Sequence, residues 1–113
     1  MSNEARATLA AALSTVDDCK GYATAPTAPR TGDGWALWGG AERWDTGGPF
    51  INTWRVVVVL PSDEVAADTW IAGHLEDLID ALTPVAHVDS AAPALAQASG
   101  NDAYRLQITV REP

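Results

Sequence analysis

Basic residues are scarce in this chain of 113 residues: Lys and Arg number 7 against 15 Asp and Glu, a formal net charge of −8. A nucleic-acid grip needs clustered Lys and Arg to displace counterions from phosphates, so this balance argues against one. It suits a soluble protein, a basic partner, or a surface that keeps DNA from sticking. Cysteine is scarcer still. The lone Cys19 excludes an internal disulfide and gives no sign of an oxidising compartment. The longest apolar run, Val56–Pro61, falls far short of the roughly 20 residues of a membrane helix. The opening MSNEARATL has neither the basic nor the apolar stretch of a secretory signal. A soluble protein made inside the cell is expected, with no membrane partner.

Chemical motifs are missing too. His74 and His87 are the only histidines, and no C-x-x-C or H-x-x-x-H spacing offers zinc its ligands. Both are read as structural histidines. No G-x-S-x-G elbow or phosphate-binding loop occurs, and the Gly39-Gly40 and Gly47-Gly48 pairs lack the Lys and Ser that phosphate chemistry uses. They read as turns. No base, nucleophile or metal set can be assembled around the carboxylates. The expectation is a protein that is not an enzyme, with no catalytic residues, no cofactor and no metal.

What is present is a core. Apolar residues make up 47% of a chain long enough for one ordinary domain, 1–113, and too short for two. The organising stretch is Phe50–Leu82. Thr53 to Leu60 is almost wholly β-branched or aromatic, a strand that Pro61 ends. Ser62 is placed to cap the next helix, with Asp63 and Glu64 in its first turn. Ile71, Leu75, Leu78 and Leu82 then recur at helical spacing, with Ile79 beside them and Trp70 and His74 on an adjacent stripe.

Before this stretch, Leu9, Leu13 and Val16 mark a helix over roughly Asn3 to Asp18, with Gly21 as its stop. A short strand near Tyr22, an extended loop over about 23–34, a short strand Trp35–Trp38 and a second loop over about 39–50 follow. After it, Val85–Val88 and the Ala-rich run read as a strand interrupted or finished at Pro93. Ser99–Asp102 reads as a turn. Tyr104, Leu106, Ile108 and Val110 alternate with Arg105, Gln107, Thr109 and Arg111, the pattern of an antiparallel strand with one wet face. The fold class is α+β: a small mixed, mainly antiparallel sheet of about four to five strands packed by two helices, in the order α-β-β-β-α-β-β.

Three features exceed what a core requires. Trp54 and Trp70 read as core, but Trp35, Trp38 and Trp44 lie in or beside loops, where aromatic residues serve either as filling or as interface anchors. Valines occupy both faces of the central strand, with only Arg55 among them. Either the sheet is covered on both sides, or a second subunit closes the face of Val57 and Val59. Two helices hardly cover both faces, which favours the second. Finally, Ser62–Leu82 holds six acids and no base. Asp63 and Glu64 suit a helix N-terminus, but Glu76, Asp77 and Asp80 lie towards the wrong end, and Glu76 and Asp80 repel at i, i+4. They are a solvated face, partners for a neighbouring chain's arginines, or groups with a DNA-repelling or catalytic role.

Taken together, the chain resembles the tail terminator proteins of long-tailed (siphovirus-type) bacteriophages, in the version carried by phages of actinobacteria. The resemblance rests on the Ala-rich first helix, GY-x-x-x-P at Gly21–Pro26, GDGW at Gly32–Trp35 and T-W-x-V-x-V-x-L-P at Thr53–Pro61. The Asp/Ala/Trp-rich helix, P-V-A-x-V at Pro84–Val88 and the closing Tyr-x-Leu-x-Ile-x-Val strand complete it. It spans nearly the whole chain, through packing patterns whose order and length carry the specificity. It implies a structural virion protein: a homo-hexameric ring at the head-proximal end of the tail tube that stops tube polymerisation and offers the head-tail joining surface. The implied partners are further copies of the chain, the major tail tube protein and the head-tail connector or stopper protein, with DNA passing through the lumen without specific binding. The implied location is the virion, after assembly in the host cytoplasm. On this reading Trp35, Trp38, Trp44, Arg55, Val57 and Val59 belong to subunit or tube interfaces. Glu76, Asp77 and Asp80 belong to an acidic lumen or to pairing between subunits. Another connector ring protein, such as a head-closure or stopper protein, is the alternative, and the long second helix argues against it. A small non-viral ligand-binding α+β domain is the third reading.

Overall fold

The computed structural model describes residues 3–43, 50–98 and 101–112. Its elements are α1 (Asn3–Leu13), β1 (Lys20–Tyr22), β2 (Asp33–Glu42), β3 (Ile51–Val59), α2 (Glu64–Leu82), β4 (His87–Ala98) and β5 (Asn101–Arg111). The strands form one five-stranded mixed sheet in the order β1-β2-β3-β5-β4. Only β1 and β2 run parallel; the other pairs are antiparallel. The α+β class and the α-β-β-β-α-β-β order are those expected from the sequence.

Both helices lie on one face of the sheet. Leu9 and Leu13 of α1 and Leu78 and Leu82 of α2 pack with Trp54, Val56 and Val58 of β3 and Leu106, Ile108 and Val110 of β5 in one buried cluster. Alternation along each strand puts these residues on a common side, and hydrophobic burial holds the helices there. The fit is close at α1, where a Cβ added to Gly21 would stand 2.0 Å from the Ala10 carbonyl oxygen. Helix α1 therefore rests on the β1 backbone, which is what Gly21 provides.

Several boundaries differ from expectation, each for a local reason. Helix α1 ends at Leu13, short of Asp18, because the Ser14 and Thr15 hydroxyls donate to the Ala10 and Ala12 carbonyls and the chain turns. The left-handed residue that reverses it is Asp18, at φ 64, not Gly21. Helix α2 is capped by Asp63 rather than Ser62: Asp63 is extended, and its carboxylate accepts from the Ala66 N–H. Strand β2, at Asp33–Glu42, is longer than Trp35–Trp38, so the first residues of the expected 39–50 loop, 39–42, belong to a strand; 44–49 lie outside the described residues. Its Gly39-Gly40 pair accommodates a bulge, with the register shifting between Trp38 and Gly40 and Gly40 at φ 132. Strand β4 passes through Pro93 without a break. It is an edge strand, where a residue lacking N–H removes no ladder bond. Asn101 and Asp102, expected in the turn, pair with Ala98 and Gln97.

One β arm leaves the sheet. At one end β2 and β3 pair as far as Glu42 and Ile51, nearly level with the end of β5, where the Glu112 N–H donates to the Asn52 carbonyl. At the other, β4 and β5 remain paired to Ala98 and Asn101, beyond the last β3 contact at Val59 with Arg105. At about 3.3 Å per residue this arm reaches some 13 Å past the sheet. The described residues span 47 Å along their longest axis.

Candidate functional site

The sheet face away from the helices is left uncovered by any helix among the described residues. A single row crosses it: Tyr22, Trp35, Val57, Gln107 and Ala92 are register partners from β1 through β4. Trp35 is 3% exposed and Val57 2%, yet neither belongs to the helix-side cluster. They are buried by neighbours on their own face. The Arg105 guanidinium lies 5.2 Å from the centroid of the Trp35 ring, a cation–π contact that bridges β5 and β2 across β3.

Arg55 and Arg105 flank this row on either side. Arg55 pairs with Thr109 and Arg105 with Val59, so their Cα atoms are separated along the strands by about 13 Å. Arg55 is exposed, and among the described residues no carboxylate lies within ion-pair distance of either. The Arg105 Nε is buried and has no hydrogen-bond partner among them. Lys20 sits over Tyr22 on the same face, and Arg111 is held by a two-pronged contact to Asp89 at 3.0 and 2.8 Å. This face thus presents cations around a Trp35–Val57 pair that its own chain already buries.

The acids gather on the opposite side of the molecule. On α2, Asp68, Glu76, Asp77 and Asp80 are all exposed, and none is in an ion pair among the described residues. Asp77 and Asp80 share a shallow groove with Asp17 from the turn after α1. Between the acids the outer surface of α2 is small: Ala72 and Gly73 are exposed, and a Cβ added at Gly73 would meet nothing within 4 Å. His74 belongs to the helix's inner flank. Its ring stacks on Trp70 at 4.1 Å, and its Nδ1–H donates to the Trp70 carbonyl.

Strand parity separates the residues proposed from sequence. Trp35, Arg55, Val57 and Val59 share the uncovered face. Trp35 is a buried strand residue, not a loop anchor. Trp54, on the opposite parity from Val57, lies in the helix-side core. Trp38 faces that same side but beyond the helices, 44% exposed, and donates its Nε1–H to Asn52. Trp44 lies outside the described residues. Glu76, Asp77 and Asp80 are on the solvent side of α2. Sequence reasoning missed Arg105 as a site residue, although the alternation of β5 had placed it on the wet face; its contact with Trp35 depends on the order β2-β3-β5.

A cavity of about 320 Å³ opens beside the start of α1, lined by Glu4, Leu9, Trp54, Val110 and Glu112 among others. Its polar groups are engaged within the chain: the Glu112 carboxylate accepts from Trp54 Nε1 at 2.8 Å and Asn52 Nδ2 at 3.2 Å, and Arg6 covers the Trp54 ring. Among the described residues no three His, Cys, Asp or Glu side chains are grouped to hold a metal. None of the helices they form is long and apolar enough to cross a membrane.

These features define a small α+β protein with helices on one side of its sheet and a cation-bordered, uncovered face on the other. Comparison with family models, characterised proteins and solved structures gave no match.

Proposed function

We propose that this chain is the subunit of a tail terminator ring: a structural protein of which six copies close at the head-proximal end of a siphovirus-type phage tail tube, stop its growth and offer the head connector a docking surface. The observation that supports this reading is the β4–β5 arm, paired beyond the last β3 contact at one end of the sheet. A subunit that reaches a tube or a connector needs projecting backbone, and a paired strand projects further and more rigidly than a loop. The sequence patterns at Gly32–Trp35, Thr53–Pro61 and Tyr104–Val110 give the family resemblance. Net charge supports the passage of DNA, since a lumen poor in Lys and Arg does not hold phosphates.

The test is the mass of the purified protein over a concentration series by size-exclusion chromatography with light scattering, followed by negative-stain imaging. Six copies of the 11.9 kDa chain in a six-fold ring are the expected particle. A monomer at every concentration, or a closed dimer, overturns the reading.

A further inference from the structure

The two sides of this molecule are charged oppositely, and each bears a feature its own chain leaves unexplained. On the sheet side, Arg105 has a buried Nε without a partner among the described residues, and Arg55 is an exposed cation with no acid near it there. On the helix side, α2 carries like charges at Glu76 and Asp80 towards its C-terminal end, where its dipole disfavours them. It also carries Gly73 in mid-helix, which lowers helix stability although nothing in its own chain approaches the position.

We infer that these are the two halves of one contact: the outer face of α2 from one copy seats on the uncovered sheet face of a second copy. Trp35 and Val57 are already buried by their own chain, so the contact is made by charge: Ala72 and Gly73 let the helix lie close to the sheet, and Asp68 and Glu76 meet Arg55 and Arg105. The lengths agree. Asp68 and Glu76 are separated by about 12 Å along a helix rising 1.5 Å per residue, and Arg55 and Arg105 by about 13 Å along the sheet. The acids then sit between subunits rather than on a lumen wall. Because the contact joins different patches on opposite sides of one copy, it is head-to-tail, and it closes into a ring or runs on as a filament. This inference rests on the proposed ring, whose subunit contact it specifies.

Charge reversal tests it. Asp68→Lys with Glu76→Lys puts bases on the helix; Arg55→Glu with Arg105→Glu puts acids on the sheet. Each double variant alone is expected to elute as a monomer while keeping the wild-type circular dichroism. Mixed at equal concentration, they are expected to recover assembly, because each helix then meets a sheet face of opposite charge. Arg105 contacts Trp35, so Arg55→Glu alone, at an exposed position, is the companion variant, expected to weaken assembly at least tenfold with no change in melting midpoint. If wild type assembles and the folded variants assemble equally well, or if the mixture stays monomeric, the helix-on-sheet contact is wrong and the ring survives with another interface. If wild type never assembles, both fail.

Discussion

The guanidinium of Arg105 covers the ring of Trp35 from two strands away, 5.2 Å from its centroid, on the side of the sheet that no helix reaches. This contact covers part of a tryptophan that is buried on a face no helix reaches. It also leaves an Arg Nε without a partner among the described residues. A buried donor left unpaired costs about 1–3 kcal/mol, so this arrangement is better suited to a face that another surface completes.

Val57 is a poor site for probing that face, despite its place at the centre. If a second subunit closes the face of Val57, Val57→Asp blocks ring formation. At 2% exposure it also buries a carboxylate between Trp35 and Gln107. The fold should lose about 3 kcal/mol, in the range of a buried polar group without designed partners. Thermal melts should therefore show a lowered midpoint together with lost assembly. An unchanged melt alongside normal rings would mean that this face tolerates charge and has no partner.

Two glycines should respond in opposite senses. Gly21→Ala drives a methyl into the α1 backbone and should destabilise the protein by about 2–3 kcal/mol, measured by urea denaturation. Gly73→Ala meets open space and should stabilise the isolated chain by about 1 kcal/mol through helix propensity. If α2 seats on a neighbour through that position, the same methyl weakens assembly while strengthening the fold.

Glu112 fixes Trp54 at the end of the sheet by accepting from its indole N–H at 2.8 Å. Glu112→Ala leaves that donor unpaired in a buried site and also releases Asn52. A loss of about 1–3 kcal/mol is expected, with a change in tryptophan fluorescence. Glu112→Gln keeps an acceptor and should recover much of the loss.

Cys19 should be slow to alkylate. Burial, with Asp18 adding its negative charge, pushes the thiol from 9.0 up to about 11. Little thiolate exists at pH 8, so iodoacetamide should react many times more slowly than with the urea-unfolded chain, and the rate should climb towards pH 11. The sign for stability follows from the same shift. The fold favours the neutral thiol, so its contribution is constant below about pH 9 and falls between about pH 9 and 11, where only the unfolded chain ionises.

The stretch Phe50–Leu82 announced both its elements, because a run of β-branched residues and a leucine stripe at helical spacing are local signals that tertiary packing reinforces. The alternation of Tyr104 to Val110 likewise identified which side of β5 is buried. Boundaries were less legible. Whether Ser62 or Asp63 caps α2, whether Asp18 or Gly21 reverses the chain, and whether Gly39-Gly40 ends a strand or bulges within it are decided by differences of about a kcal/mol between neighbouring residues. Pro93 looked like a strand stop because a sequence does not say which strand forms the edge.

What the sequence determined by itself was the class of fold, the core stripes and the unbalanced acids of α2, since each follows from periodicity and composition. What the tertiary structure decided was sidedness. Only the order β1-β2-β3-β5-β4 brings Trp35, Arg55, Val57 and Arg105 onto one face and sends Trp54 to the other. Strand parity says that neighbouring residues face opposite ways, but which residues of distant strands stand together depends on strand order, which sets β2 and β5 on either side of β3 and so brings Trp35 and Arg105, 70 positions apart, into contact. That order comes from the fit of whole faces during folding, and no local pattern in the chain encodes it.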